Sequence, residues 1–430
     1  MRKLMRPGLQ LKRWFLVLLA GMVVLSLGIG FAVTDAYRTA VVPGWVTLVT
    51  LQFMPLLARA GIFLIVGGGL CVLSVLGLYR SLADTLPANS QSLIDRIYEY
   101  RIRQGGPRIV CIGGGTGMPT VLRGLKHLSA NITAIVTVGD DGGSSGRLRR
   151  EHGILPPGDF RNNIVALAAV EPLMARLFQY RFGEGSALGG HSFGNLFVLA
   201  MTGITGNFEQ ALRETSRVLA VQGVILPSTL QDVEICAEFT DGTEVCGESN
   251  IPEVGKPIDH VYLRPGHPAA QPEAVSAILE ADLIVLGPGS LYTSVVPNLL
   301  VEGVAKALIQ SSGLKVYVCN VATQPGETDG YNVEAHVAAL IRHLPGQANP
   351  LDVVIAPRHA DPTAVHEPGI SLVSAGPSRN TQPRVVVEDV VRDDLPLRHD
   401  PDKLATVLMR VLEEERRARS SNNGSVRYVS

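Results

Sequence analysis

Residues 108–147 decide the fold of this chain, and they read RIVCIGGGTGMPTVLRGLKHLSANITAIVTVGDDGGSSGR. An apolar run leads into the glycine-rich turn 113–117, and a helical pattern follows from Pro119 to Leu128. A β-branched run, 132–138, then ends in two aspartates and two glycines. This order predicts a strand, a glycine turn, a helix, a second strand and an acidic turn, which is one βαβ unit. Both turns should lie at the carboxyl ends of adjacent parallel strands, where open α/β sheets bind their ligands.

The glycine turn has the properties of a phosphate-binding loop. Glycine permits positive φ and a close approach of the backbone to an anion. The helix that begins near Pro119 would direct its free N–H groups and its positive dipole end at that anion. The dinucleotide fingerprint requires glycine where Met118 stands, which weakens the hypothesis of an NAD-dependent oxidoreductase. The lysine of a Walker A loop is also absent. The loop is also similar to the tubulin-like GTPase loop, except that Met118 and Pro119 replace the expected glycine. The alternative is a strand-to-helix turn without a ligand.

The acidic turn supplies candidate ligands for Mg²⁺. Asp140 and Asp141 lie in a glycine- and serine-rich turn, and Asp159 follows 18 residues after the second of them. Carboxylates beside a phosphate suit Mg²⁺, which usually binds one or two carboxylates together with phosphate and water. The alternative is that Asp159 caps its own helix and that Asp140 orients the glycine turn through hydrogen bonds.

Two further motifs extend the predicted site. A second glycine turn, from Gly287 to Tyr292, follows an apolar strand and offers a second contact for a phosphate or a sugar. His191 could serve as a general acid or base, although a structural or binding role is favoured because no paired carboxylate accompanies it. Asn195 suits a ribose, base or phosphate contact. The predicted nucleotide contacts are Gly113, Gly114, Gly115, Thr116, Gly117, Asp140, Asp141, Ser144, Ser145, Arg147, His191, Asn195, Gly287, Gly289, Ser290 and Tyr292, and the predicted metal ligands are Asp141 and Asp159.

Six blocks in this chain resemble the gluconeogenesis factor family, which comprises the bacterial relatives of 2-phospho-L-lactate transferase (the CofD-like group). They are GGGTG at 113–117, TAIVTVGDDGGSSGRLR at 133–149, LPPGDFRNNIVAL at 155–167, HSFGNLF at 191–197, LGPGSLYTSVVPNLLV at 286–301 and NVATQPGETDGY at 320–331. The resemblance implies a Rossmann-like three-layer α/β fold with a parallel sheet. It also implies binding of a nucleotide or a nucleotide sugar.

The resemblance leaves two functions open. One is a regulator that binds a UDP-sugar such as UDP-N-acetylglucosamine and supports cell-wall synthesis and cell shape during gluconeogenic growth. The other is an Mg²⁺-dependent transferase, because the transferase relatives join a phospholactyl group to a deazaflavin using a guanylated donor. In those relatives, aspartates in positions similar to Asp141 and Asp159 bind the metal. The sequence names no nucleophile with an adjacent base, which favours the regulator.

The N-terminal 80 residues have the pattern of a membrane hairpin. Residues 1–13 carry five basic residues and no acidic one, and the uncharged runs 14–33 and 60–78 follow. At 1.5 Å per residue the first run is about 30 Å long, one bilayer core. The basic flanks predict a two-pass protein of the cell membrane with both termini and the main domain in the cytoplasm. A cleaved signal peptide is the less favoured alternative, and the role of 45–57 stays open.

The remaining chain is predicted to contain a linker (81–107), a nucleotide-binding domain (108–418) with an antiparallel β insertion at about 224–263, and a disordered tail (419–430). The net charge of −1 does not favour nucleic acid as a partner. A nucleotide sugar is the predicted ligand, and the cell-wall synthesis machinery and a second copy of the chain are candidate partners. Arg398 is either an anion contact or an ordinary exposed loop arginine.

The five cysteines show no CxxC spacing, so the sequence indicates neither a zinc site nor a redox pair. Cys111 and Cys319 lie in apolar runs and should be small core residues. Cys236 and Cys246 are placed to face each other across a hairpin, but a reducing cytosol argues against a bridge between them.

Overall fold

The computed structural model describes residues 103–169, 172–359, 367, 369–376 and 382–426, together with isolated positions between 22 and 69. The chain divides into two compact units, Met1–Ile102 and Arg103–Ser430. The sheet and the candidate site lie in the second unit.

The prediction of a two-pass membrane location is contradicted by the structure. Among the residues that it describes, no helix has both the length and the apolar character needed to cross a membrane. Most positions of the predicted spans 14–33 and 60–78 lie outside the described residues. Where the chain is described between them, the Met54 N–H donates to the Leu51 carbonyl in a turn, and Leu51 has a φ of 52°. A span requires about 20 consecutive helical residues, and this turn interrupts the apolar run 45–57.

Ten strands form two sheets in the described part of the chain. In chain order they are β1 (Ile109–Gly113), β2 (Ile132–Val136), β3 (Val224–Pro227), β4 (Glu234–Phe239), β5 (Glu244–Cys246), β6 (Ile258–Arg264), β7 (Leu283–Leu286), β8 (Leu314–Val318), β9 (Val353–Pro357) and β10 (Arg384–Glu388). Seven of them form a parallel sheet in the order β10-β9-β8-β7-β1-β2-β3. Every residue of β1, β7, β8 and β9 is buried, so both faces of the sheet are covered and the predicted parallel α/β fold is confirmed.

The order of the strands creates a crevice. From β1 the chain continues outward through β2 and β3, whereas from β7 it continues through β8, β9 and β10 in the opposite direction. The loops that follow β1 and β7 therefore diverge above the sheet edge. Such a topological switch point is where open α/β sheets hold their ligands.

Helices cover the sheet. They are α1 (Met118–Leu125), α2 (Gly143–His152), α3 (Pro157–Leu167), α4 (Pro172–Gln179), α5 (Phe193–Thr205), α6 (Phe208–Val218), α7 (Pro272–Glu280), α8 (Val296–Leu299), α9 (Glu302–Gln310), α10 (Val333–Arg342) and α11 (Pro401–Val426). In α1, Met118, Val121, Leu122 and Leu125 are buried with the i, i+3, i+4, i+7 spacing of an amphipathic helix. Gly124 lets α11 approach, because a Cβ there would lie 2.1 Å from the Pro401 carbonyl oxygen.

The antiparallel insertion is smaller than predicted. Strands β5, β4 and β6 form a three-stranded sheet, here called the ribbon, which begins at Glu234. The apolar residues of β3 belong instead to the parallel sheet, where Thr133 of β2 pairs with Val224. The sequence of β3 is as apolar as that of a ribbon strand, so composition does not tell to which sheet it belongs. Only its pairing with β2 does.

The ribbon also contains a disulfide that the sequence argued against. Cys236 and Cys246 pair directly across β4 and β5, with 4.0 Å between their Cα atoms, and their sulfurs are bonded. Direct opposition in an antiparallel pair brings the two side chains together, as the sequence predicted, and the expectation that a reducing cytosol would prevent their bond was wrong. Cys111 and Cys319 are free and buried.

The C-terminal helix extends beyond the predicted domain end. α11 continues to Val426, through most of the predicted tail 419–430, and residues 427–430 lie outside the described part. Arg419 explains part of the extension, because its guanidinium bonds to Glu415 one turn earlier and to the Ser312 carbonyl.

Candidate functional site

The two glycine turns meet at the crevice. A Cβ at Gly117 would lie 2.4 Å from the carbonyl oxygen of Pro288, so the backbones approach as closely as only glycine permits. Asn320 fixes the second turn, because its Oδ1 accepts from the Gly289 N–H at 3.1 Å and its Nδ2 donates to the Gly289 carbonyl at 2.9 Å. Asn298 Nδ2 donates to the Gly113 carbonyl at the end of β1. The predicted adjacency of these turns is therefore found.

A cavity of about 760 Å³ opens beside both turns. The predicted residues Thr116, Gly117, Gly289 and Ser290 line it. Arg398, which is exposed, also lines it and donates from Nη1 to Thr116 Oγ1 at 3.0 Å. The other polar lining residues are Thr120, Asn320, Thr323, Gln324, Glu367 and His399.

Tyr292 does not line this cavity. Its side chain is buried, and its hydroxyl lies 2.9 Å from the Tyr331 hydroxyl. Burial raises the pKa of Tyr292 far above its ordinary range, with the Tyr331 hydrogen bond adding to the effect. Its backbone N–H donates to Glu327, so Tyr292 contributes to the site through its backbone rather than through its ring.

Asp159 supports the glycine turn from below. It lies in the first turn of α3, and its Oδ2 accepts from the Gly115 N–H at 2.6 Å. The side chain therefore caps the neighbouring loop rather than its own helix. Burial raises the pKa of Asp159 to about 6; the Gly115 hydrogen bond opposes this rise, and the charge of Asp140 adds to it.

The structure places Asp140, rather than Asp141, beside Asp159. Asp140 Oδ1 accepts from the Gly142 N–H, and burial raises its pKa. The carboxylate of Asp141 instead accepts from the Ser249 N–H of the ribbon at 2.9 Å. Both aspartates lie in the irregular turn that follows β2, which ends at Val136, and the fold of this turn directs the two side chains to different partners. The two predicted metal ligands, Asp141 and Asp159, therefore do not face one another directly.

The sequence missed two carboxylates at this site. Glu248 arrives from the ribbon, and burial raises its pKa to about 8, with further contributions from the charges of Asp140 and Asp159. Glu327 accepts from Thr293 Oγ1 and Gln324 Nε2 at 2.9 Å, and burial raises its pKa to about 7. Glu327 lies in one of the six resembling blocks, which is a signal that could have found it. No motif in the sequence around Glu248 indicates that it belongs to the site.

A buried polar network lies on the other side of the acidic turn. Ser144 Oγ lies 2.9 Å from His191 Nδ1, and Asn195 Nδ2 donates to Ser144 Oγ at 3.0 Å. Burial and the charge of Arg147 lower the pKa of His191, and the tautomer of its ring decides whether Nδ1 donates to or accepts from the Ser144 hydroxyl. Asn195 Oδ1 is buried and lacks a hydrogen-bond partner among the described residues. This network supplies the hydroxyl–base pair that the sequence did not reveal.

The remaining predicted residues flank this network. Arg147 donates to the Gly189 carbonyl at 2.7 Å, and Ser145 hydrogen-bonds to the Asp140 side chain. Within the part of the chain that the structure describes, one group of three potential metal-ligating side chains lies within 4.8 Å: Glu234, Cys236 and Cys246. The two sulfurs of that group form the disulfide. The acidic cluster is thus more open than a preformed three-ligand cage.

Comparisons with known proteins identify the family and the fold of this chain. The family model for 2-phospho-L-lactate transferase CofD matches residues 109–388. The solved structure of a upf0052 family protein from Bacillus halodurans superposes with a TM-score of 0.66 and 42% identity, covering 71% of this chain and 99% of that one.

Relatives with known names show to which members of the family this chain is similar. The gluconeogenesis factor of Bacillus subtilis (strain 168) is 46% identical over 72% of this chain and 99% of its own length. A relative from Nostoc sp. (strain PCC 7120) is 44% identical over 95% of this chain and 92% of its own length. This chain therefore belongs to the 2-phospho-L-lactate transferase CofD family, among members that are named gluconeogenesis factors.

Proposed function

We propose that this protein is a regulatory factor that binds a nucleotide sugar of the UDP-N-acetylglucosamine kind between its two glycine turns. The observation that carries this proposal is the cavity of about 760 Å³ at the switch point, lined by Thr116, Ser290 and Arg398. Ligand pockets of about 300–1,000 Å³ are typical for small molecules. In the cell, the bound form would support cell-wall synthesis and cell shape during growth on gluconeogenic carbon sources.

The diphosphate would lie against the first glycine turn. The N-terminus of α1 has no side-chain cap; Pro119 has no N–H and the Thr120 N–H donates to the Gly117 carbonyl, so the positive end of the helix dipole is what this helix would offer an anion. Arg398, now hydrogen-bonded to Thr116, would turn its guanidinium to the phosphate, since paired N–H donors suit phosphate oxygens. The sugar and base would then contact the polar lining at Asn320 and Gln324.

The acidic cluster fits a divalent cation. Asp140, Asp159 and Glu248 are carboxylates whose pKa values are raised by burial and by one another, as expected where positive charge is lacking. Asp140 and Asp159 would hold Mg²⁺ together with phosphate oxygens and water. Bound there, the cation would supply the positive charge that offsets both the carboxylates and the phosphates.

The proposal is tested by calorimetric titration of the full chain with UDP-N-acetylglucosamine, GTP and NAD, with and without Mg²⁺. UDP-N-acetylglucosamine should bind tightest, and Mg²⁺ should strengthen its binding. Preferential binding of NAD, or no heat with any UDP-sugar, would sink the proposal.

Substitution of Arg398 by glutamine should weaken UDP-N-acetylglucosamine binding by about tenfold or more, because hydrogen bonds to charged groups contribute about 1.5–3 kcal/mol. Uridine, which lacks the phosphates, should bind the variant and the wild type equally. Arg392→Gln is the matched control, since that guanidinium is paired with Asp394 in the same loop. Equal weakening of uridine and UDP-N-acetylglucosamine would show that Arg398 does not contact the diphosphate.

A second candidate function is an Mg²⁺-dependent transferase that uses a nucleoside-diphospho donor. The observation in its favour is the Ser144–His191 pair, in which His191 Nδ1 is placed to accept the hydroxyl proton. Against it, Asn195 and His191 both hold this hydroxyl in a buried network, as a structural polar cluster would.

Asp159→Asn separates the two candidates. For a regulator, we expect weaker or altered binding of the nucleotide sugar and no product from a nucleoside-diphospho donor in either protein. The readout is product analysis by mass spectrometry beside the binding isotherm. Turnover by the wild type that disappears in Asp159→Asn, with binding retained, would establish the transferase instead.

A further inference from the structure

The ribbon carries a cysteine pair beside the acidic site. Cys236 on β4 and Cys246 on β5 are directly opposed and bonded. Cys236 is fully buried, whereas Cys246 is only partly buried and is the more accessible of the two. A reagent that exchanges disulfides would therefore meet Cys246 first.

The chain passes straight from this cysteine into the acidic site. Gly247, with a φ of 102°, begins the turn, and its N–H donates to the Ile235 carbonyl at 2.8 Å. Glu248 then lies among the carboxylates of the site, and the Ser249 N–H donates to Asp141 Oδ1 at 2.9 Å. Residues 247–249 thus connect the disulfide to the acidic turn.

The disulfide acts on this segment together with a short edge strand and several hydrogen bonds. β5 has three residues and forms one edge of the ribbon, where it pairs with β4 alone. The Asn250 Nδ2 donates to the Cys246 carbonyl, the N–H groups of Asn250 and Ile251 donate to the Gly247 carbonyl, and Glu244 of β5 pairs with Arg264 of β6. A short edge strand frays easily, so the covalent link one residue before Gly247 adds to these bonds in fixing the position of Glu248.

We propose that Cys236 and Cys246 form a reversible dithiol–disulfide site, whose oxidised state holds Glu248 against the acidic turn. The oxidant is a disulfide compound, either a small thiol's disulfide or a protein disulfide. The Cys246 thiolate attacks one sulfur of the oxidant, forms a mixed disulfide and releases one thiolate. The Cys236 thiolate then attacks the Cys246 sulfur and releases the second. Two cysteine thiols lose two electrons and two protons, and the oxidant's disulfide becomes two thiols.

This inference deepens the proposed function, but only its consequence for ligand binding rests on that function. Reduction should free residues 247–249, move the Glu248 carboxylate and change how the acidic cluster holds Mg²⁺ with a nucleotide sugar. The redox chemistry and the release of the segment are measurable without any ligand.

The test equilibrates the full chain in buffers of reduced and oxidised glutathione, followed by thiol alkylation and mass spectrometry. The pair should convert reversibly between two thiols and one disulfide across the range of ratios. Amide hydrogen exchange at Ser249 should be about tenfold or more faster in the reduced protein. A pair that stays fully oxidised or fully reduced at every ratio would overturn the proposal, as would an exchange rate that is the same in both states.

Two variants complete the test. The double variant Cys236→Ser, Cys246→Ser should exchange like the reduced wild type in every buffer, and Cys246→Ala replaces it if the double variant does not fold. Glu248→Gln should keep the redox-dependent exchange at Ser249 while losing the redox dependence of UDP-N-acetylglucosamine binding in Mg²⁺; binding by this variant that still follows the redox state would refute the role of Glu248. If the thiols and the exchange respond but UDP-N-acetylglucosamine binds neither state, the redox site stands and the proposed function fails.

Discussion

Replacement of Gly115 by valine should weaken nucleotide binding at least about a hundredfold, or about 2.7 kcal/mol. Gly115 has a φ of +63°, a conformation in which a β-branched residue is a strong outlier. A Cβ there would also lie 3.0 Å from Ser294 Oγ. The valine would therefore distort the turn against which the diphosphate is proposed to lie, and it would occupy the space that phosphate requires. Calorimetric titration with UDP-N-acetylglucosamine measures the loss.

The matched control for this experiment is Gly153→Val. Gly153 has the same φ of +63°, but it ends α2 and would have no atom within 4 Å of an added Cβ. Its variant should lose a similar amount of folding stability and keep its affinity. A loss of tenfold or less in Gly115→Val would mean that the first glycine turn is only a strand-to-helix connection.

Asp159→Asn should make the unliganded protein more stable at pH 8, by up to about 3 kcal/mol. The folded state raises the pKa of Asp159 from its ordinary 3.8 to about 6, so the folded protein binds this proton more tightly than the unfolded chain. The corresponding stability is fully present below about pH 4 and is lost as the pH rises through about 6. Asparagine carries no charge and still offers an acceptor to the Gly115 N–H.

The two carboxylates that the sequence missed should also make the folded protein less stable as the pH rises. The folded state raises the pKa values of Glu248 and Glu327 from 4.5 to about 8 and about 7. The wild type without ligand should therefore be more stable at pH 5 than at pH 8. Denaturant titrations at both values measure this, and Mg²⁺ should stabilise the wild type more than Asp159→Asn. Asp141→Asn is the control, because that carboxylate faces Ser249 instead. If Asp159→Asn is no more stable than the wild type at pH 8, the inference that Asp159 carries a destabilising buried charge is wrong.

Local patterns were sufficient for the centre of this fold. The apolar run at 109–112, the glycine turn and the helix after it predicted the first βαβ unit, and the second glycine turn predicted where β7 ends. Each of these features depends on residues adjacent in the chain: the spacing of apolar side chains and the conformational freedom of glycine. The meeting of both turns followed from the rule that parallel strands share one carboxyl edge.

The chemistry around that centre depended on contacts between distant residues. Ser144 and His191 are 47 positions apart, and only the packing of α5 beside α2 brings them within a hydrogen bond. The assignment of β3 to the parallel sheet followed from strand pairing that composition does not encode. The sequence did predict that Cys236 and Cys246 oppose each other, and only their bond was unexpected.

By itself, the sequence determined that this chain forms a parallel α/β sheet with two glycine turns at one edge, because strand, turn and helix signals are local. The tertiary structure alone decided which carboxylates lie together: Asp140 lies beside Asp159, Glu248 joins them from the ribbon, and Asp141 faces Ser249 instead. The direction of each aspartate depends on the fold of the irregular turn after β2, and the position of a ribbon loop depends on its register and packing. Neither property can be read from a single stretch of sequence.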